Sequence, residues 1–129
     1  MKTALHLTSV TLLLAVSNLS GATLYVSLGS TNPTPPYTNW ATAATNIQDA
    51  VDRSHASDTV LVADGVYNAG FQFTDQGFSE VAVSNAVALR SVNGAPSTVI
   101  DGGGNNRCVY TARGLVCYLR FGEQLKIPS

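Results

Sequence analysis

From residue 59 onward the chain is a series of short β-prone segments, each stopped by Gly, Asn, Asp or Pro, and this pattern constrains the fold more than any other feature. The segments are residues 59–63, 79–83, 87–92, 98–100, 108–111 and 115–121, rich in Val, Thr, Ile and Tyr. Between them stand Asp64-Gly65, Asn85, Asn93-Gly94-Ala95-Pro96, Asp101-Gly102-Gly103-Gly104 and Arg113-Gly114. Residues 59–63 are apolar on both parities, so both faces of that strand are expected to be covered, as in a parallel sheet.

One helix signal precedes this series. Thr45 stands three residues before Gln48 as a capping-box pair, and Ile47, Ala50 and Val51 share one face at helical spacing. Ser57 and Asp58 limit the helix to about three turns. Asp49 and Arg53 are spaced i, i+4 on the exposed side, acid first, which favours a solvated pair. Upstream lie a strand-like run at residues 23–28 and a surface loop at residues 29–39, where Pro33, Pro35 and Pro36 exclude a helix interior or a central strand. Trp40 is placed to pack under the helix or to stack on a sugar. One capped helix leading into many short strands predicts an all-β stack whose open end the helix covers.

Composition narrows the function classes. The 129 residues fit one small domain, and 12% charged residues are too few for a solvated tail. A net charge of −1 gives no basic field for nucleic acid. Residues 1–22 combine Lys2, an apolar run through residues 12–16, and small residues at Ser20 and Ala22. This reads as a secretory signal peptide cut after Ala22, since the apolar run is too short for a membrane span. Export, to the periplasm, the cell surface or the medium, is therefore expected, with no transmembrane segment left after cleavage. The two cysteines, Cys108 and Cys117, lack CxxC spacing; in an exported chain they are open to a disulfide or to separate burial.

Three stretches, residues 24–30, 46–67 and 87–104, resemble the N-terminal end of the secreted right-handed parallel β-helix proteins, the pectin-lyase-like superfamily. The resemblance implies an opening strand, an amphipathic helix that plugs the coil, and a first coil entered through Asp64, Gly65, Val66 and Tyr67. It implies an all-β, right-handed parallel β-helix start, with residues 23–129 as the N-terminal cap and first coils. Such arrays need about three repeats for stability, and residues 115–129 depart from the family pattern after an apolar run. A truncated or frame-altered product is the expectation, with self-association through exposed edge strands.

Candidate chemistry is sparse. Asp64, Asp75, Glu80, Asp101 and Glu123 are the carboxylates beyond the helix and its end, and a glycosidase needs two of them at a separation of roughly 5–9.5 Å. Asp64 and Asp101 precede Gly, where Asp commonly bonds its own turn. Residues 101–106 match neither a calcium-binding EF-hand loop nor a P-loop and read as a corner. Arg90 and Arg107 read as solvated or corner-packing, and His55 has no triad partner in the pattern. The resulting expectation is a non-catalytic N-terminal fragment of an exported β-helix protein of the carbohydrate-active or surface type, with polysaccharide as the ligand class and no cofactor. The alternatives are a pectate-lyase-like lyase or glycoside hydrolase, for which calcium would be the cofactor, and a surface adhesion or structural module.

Overall fold

The computed structural model describes residues 20–112 and the strand Tyr118–Arg120. The expected leader up to residue 19, Cys117, and most of the expected last strand at residues 115–121 therefore lie outside the described residues. The described residues are all-β with one α-helix. Strand β1 (Thr23–Val26) is followed by a 3-10 turn at Trp40–Thr42 and helix α1 (Ile47–Arg53). Then come β2 (Thr59–Val62), β3 (Gly65–Tyr67), β4 (Gln72–Thr74), β5 (Gly77–Val83), β6 (Ala88–Ser91), β7 (Thr98–Ile100), β8 (Arg107–Thr111) and β9 (Tyr118–Arg120).

These strands form three small sheets, ordered β1-β2-β6-β9, β3-β7 and β4-β5-β8. The chain enters the sheets in a fixed order. It passes through β2, β3 and the β4–β5 hairpin, repeats the circuit with β6, β7 and β8, and returns to the first sheet with β9. Every pairing is parallel except within that hairpin. Parallel pairing stacks residues of like parity, so Leu24, Val60 and Leu89 fall in one register row. All three are buried, together with Val26, Val62, Val81, Val83 and Tyr67 in one apolar cluster that Ile100 and Val109 partly join. Each such side chain contributes on the order of 1.5–3 kcal/mol when removed from water. The second face of β2 is only half-covered, at Thr59 and Leu61, which corrects the expectation of two buried faces. Its apolar Leu61 reflects in-register neighbours Tyr25 and Arg90 rather than a second core.

Helix α1 closes the cluster at its leading end, burying Ile47, Gln48, Ala50 and Val51. Its cap lies one residue beyond the expected Thr45: the Asn46 side chain accepts from the Asp49 amide at 2.8 Å and donates to the Asp49 carboxylate at 2.7 Å. Asp49 is therefore engaged by Asn46 and forms no ion pair with Arg53. The helix has seven residues, about two turns instead of three. It stops at Ser54, whose hydroxyl donates to the Val51 carbonyl at 2.6 Å. Gln48 is not a capping partner at all. Its amide accepts from the Ala82 N–H at 2.8 Å and donates to the Ala82 carbonyl at 3.1 Å and to Asp52 at 2.7 Å. It thus continues on β5 the edge pairing that β4 supplies only as far as Ser79.

The leading edge of β1 is closed by the proline-containing loop. The Tyr25 amide donates to the Tyr37 carbonyl at 2.8 Å, and Ala44 exchanges bonds with Tyr25 and Ser27 at 2.9 and 2.8 Å. Tyr37 is accordingly buried, so this loop is a lid on the strand edge and not a free excursion. Trp40 does not pack under the helix. It is 44% exposed and meets the Tyr25 ring edge-on, with centroids 4.6 Å apart. Among the described residues no helix is long and apolar enough to cross a membrane.

Removing the Gln48 amide leaves the half-buried Ala82 N–H and carbonyl on β5 without partners, so Gln48→Ala is expected to lower the unfolding free energy by about 2 kcal/mol in urea titrations. Gln48→Glu keeps one acceptor and loses the donor, and is expected to fall short of wild type as well.

Candidate functional site

The β4–β5 hairpin turns through Asp75 and Gln76, where the Thr74 hydroxyl donates to the Gly77 carbonyl at 2.6 Å and accepts from the Gln76 amide at 3.3 Å. Gly77 has φ +105, open to glycine without strain. Two braces come from β8: the Tyr110 hydroxyl donates to Asp75 at 2.5 Å, and the Arg107 guanidinium donates to the Gln76 carbonyl. On this held platform Phe73 and Phe78 are direct cross-strand partners, and Phe71 lies just before β4. Phe71 and Phe78 stack at 4.6 Å, while Phe73 meets Phe78 edge-on at 5.3 Å.

These rings are 63%, 79% and 45% exposed for Phe71, Phe73 and Phe78. Leaving three adjacent phenyl rings in water forgoes hydrophobic stabilisation, and contiguous patches of this kind mark contact surfaces. Beside Phe71 opens a groove of about 390 Å³, lined by Asn68, Ala69, Gly70, Glu80, Asp101, Gly102, Gly103 and Asn106. Its wall is built by close backbone approach. A Cβ on Gly70 would stand 1.9 Å from the Glu80 carbonyl, so only glycine lets residues 68–71 lie against β5.

Glu80 is only 3% exposed, and it accepts from the Gly70 amide at 2.5 Å. Asp101, at the end of β7, accepts from the Gly103 amide at 2.9 Å and is itself exposed. The groove therefore presents one exposed carboxylate, a second beneath its wall, and the amides Asn68 and Asn106. Neither Lys nor Arg lines it. A smaller space of about 30 Å³ lies between this wall and α1, bordered by Gln48, Tyr67 and Glu80.

The other residues singled out in the sequence are dispersed. Asp64 does not bond its own turn; its carboxylate accepts both ways from the Asn93 amide at 3.0 Å, tying two successive corners together. Arg90 sits exposed on β6, in a different sheet from the hairpin. His55 lies past the helix end, with its ring 3.7 Å from Asp58 and 90% exposed. Cys108 is half-buried on β8, and its sequence partner Cys117, like Glu123, is outside the described residues. Among the described residues no three acidic, histidine or cysteine side chains gather as metal ligands. The three phenylalanines went unread in the sequence. The available signal was Phe71 and Phe73 at strand spacing before Asp75, with Phe78 beyond it, a hairpin with one aromatic face.

Burial raises the Tyr67 hydroxyl above its ordinary value of 10.0, opposed by a backbone hydrogen bond from Leu28 and aided by nearby Asp64. Above about pH 10 the unfolded chain therefore loses this proton before the folded one does, and stability falls as pH rises. Wild type is expected to lose more stability between pH 9 and 11 than Tyr67→Phe, measured by chemical denaturation at each pH.

Comparison of the chain with protein-family models, with curated proteins and with solved structures finds no significant match to any of them.

Proposed function

We propose that the chain is the capped opening of an exported right-handed parallel β-helix, and that it binds a carbohydrate polymer at the hairpin groove without cleaving it. Three features support the architecture. Two successive circuits fill the three sheets in the same order, the pairing between circuits is parallel and in register, and α1 covers the leading end. Each circuit then offers an apolar surface that the next one buries, the logic of a solenoid. Export rests on the leader-like residues 1–22.

The observation that carries the ligand class is the exposed Phe71, Phe73 and Phe78 cluster beside a groove of carboxylate and amide groups. Sugars offer apolar C–H faces to aromatic rings and hydroxyls to carboxylates and amides, so one ligand satisfies both halves of the site. The lack of a cation in the groove lining, with Glu80 and Asp101 on it, favours a neutral polymer over a polyuronate. Non-catalytic binding is supported by what the carboxylates already do: Asp64 holds Asn93, Asp75 holds Tyr110, and Asp101 holds its own corner.

Affinity electrophoresis of the whole chain in gels containing neutral or acidic polysaccharides tests the proposal. Retardation by a neutral polymer is expected, with little by polygalacturonate and no release of reducing ends or unsaturated products. Phe73→Ala and Phe78→Ala are each expected to weaken binding about tenfold, equivalent to about 1.4 kcal/mol. Retardation that survives both substitutions would place the ligand elsewhere, and product release would overturn the non-catalytic reading.

A further inference from the structure

Asp58 is 6% exposed, and its two carboxylate oxygens are held by backbone amides, one local and one from a distant part of the chain. One accepts from the His55 amide at 2.7 Å, and the other from the amide of Ala22 at 2.7 Å, 36 residues away. The carbonyl of Ala22 in turn accepts from the Thr59 amide at 2.8 Å, which extends the β1–β2 ladder by one residue. Ala22 is therefore part of the folded unit. A buried carboxylate needs compensation for its lost hydration, and neutral amides give less of it than a cation does. Among the described residues the only basic side chain within 4 Å is the His55 ring, almost wholly in solvent at 3.7 Å.

From this geometry we infer that the leader is removed between Gly21 and Ala22, and that the new α-ammonium of Ala22 is the counter-ion of Asp58. This rests on the export reading above. The sequence rule alone favours the next bond, because Ser20 and Ala22 are the best pair of small residues. Cleavage there would remove Ala22, leaving one Asp58 oxygen and the Thr59 amide without the partners they have in the fold. Cleavage one bond earlier uses Gly21 as the small residue before the cut and keeps both bonds. It also converts the shorter contact into an ammonium–carboxylate pair at a distance suited to one, 2.7 Å. The chain ahead of Ala22 is tightly constrained in any case: a Cβ on Gly21 would stand 1.8 Å from the Ser57 carbonyl.

The test is to express the full chain with its own leader in a secreting host, then to determine the N-terminal sequence and intact mass of the exported protein. A single product beginning at Ala22 is expected. A product beginning at Gly21 or at Thr23 overturns the inference while leaving export intact, and an uncleaved product overturns both. A second measurement compares mature forms beginning at Ala22 and at Thr23, each generated by site-specific proteolysis of a tagged precursor. The Thr23 form is expected to melt about 5 °C lower, and equal melting temperatures would remove the structural role assigned to Ala22.

Discussion

A stack of parallel strands has an apolar interior that is open wherever the stack begins, and the rest of this structure depends on how that opening is closed. Three sheets start here, each with a leading edge whose backbone groups need partners. The first is closed by the loop through Tyr37 and Ala44, which pairs with β1. On the third, β4 pairs with β5 only as far as Ser79, and beyond it the side chain of Gln48 takes both backbone groups of Ala82. One glutamine thus acts as a missing strand residue while its helix covers the interior. Closure and edge protection, usually separate problems in β proteins, are joined at this position.

This double duty explains what the sequence did and did not reveal. The sequence pattern offers Thr45 with Gln48 as a capping box, whereas the structure caps the helix at Asn46 through Asp49. Local pattern cannot choose between them, and the choice is made 34 residues away by Ala82, which claims Gln48. The strands at residues 98–100 and 79–83 were legible because β-branched residues lie between unambiguous turn residues. Strand β3 was hidden inside the Asp64-Gly65-Val66-Tyr67 corner, since three residues carry too little periodicity to register. Trp40 was misplaced for a related reason: its partner is Tyr25, on the exposed side of β1, and no helical or strand period links residues 25 and 40.

The candidate site was the least legible part. Carboxylates attract attention in a sequence because catalysis needs them, yet here Asp58, Asp64, Asp75 and Asp101 each accept hydrogen bonds that fix corners and strand ends. A chain with few charged residues spends those it has on its turns, where backbone amides are left over from short strands. What distinguishes the hairpin is the opposite imbalance, three adjacent phenyl rings left 45–79% exposed among the described residues. Such a feature is invisible to composition, because four Phe in the chain are as easily accommodated in a core.

The location of the hairpin follows from the architecture proposed. In a solenoid the rows of stacked strands are fixed by register, so an excursion can be added only at a corner between sheets, and such excursions collect on one face. Here β4 is the antiparallel excursion, inserted between β3 and β5, and it carries Phe73 outward while β8 braces its tip through Tyr110 and Arg107. The brace comes from the second circuit and the aromatic surface from the first. The groove between them is therefore formed only when the two circuits are stacked, since its walls are residues 68–71 from one and Asp101, Gly102, Gly103 and Asn106 from the other. Binding across that groove would favour the stacked state over the separated one, because a ligand that contacts both walls has no equivalent site on either circuit alone.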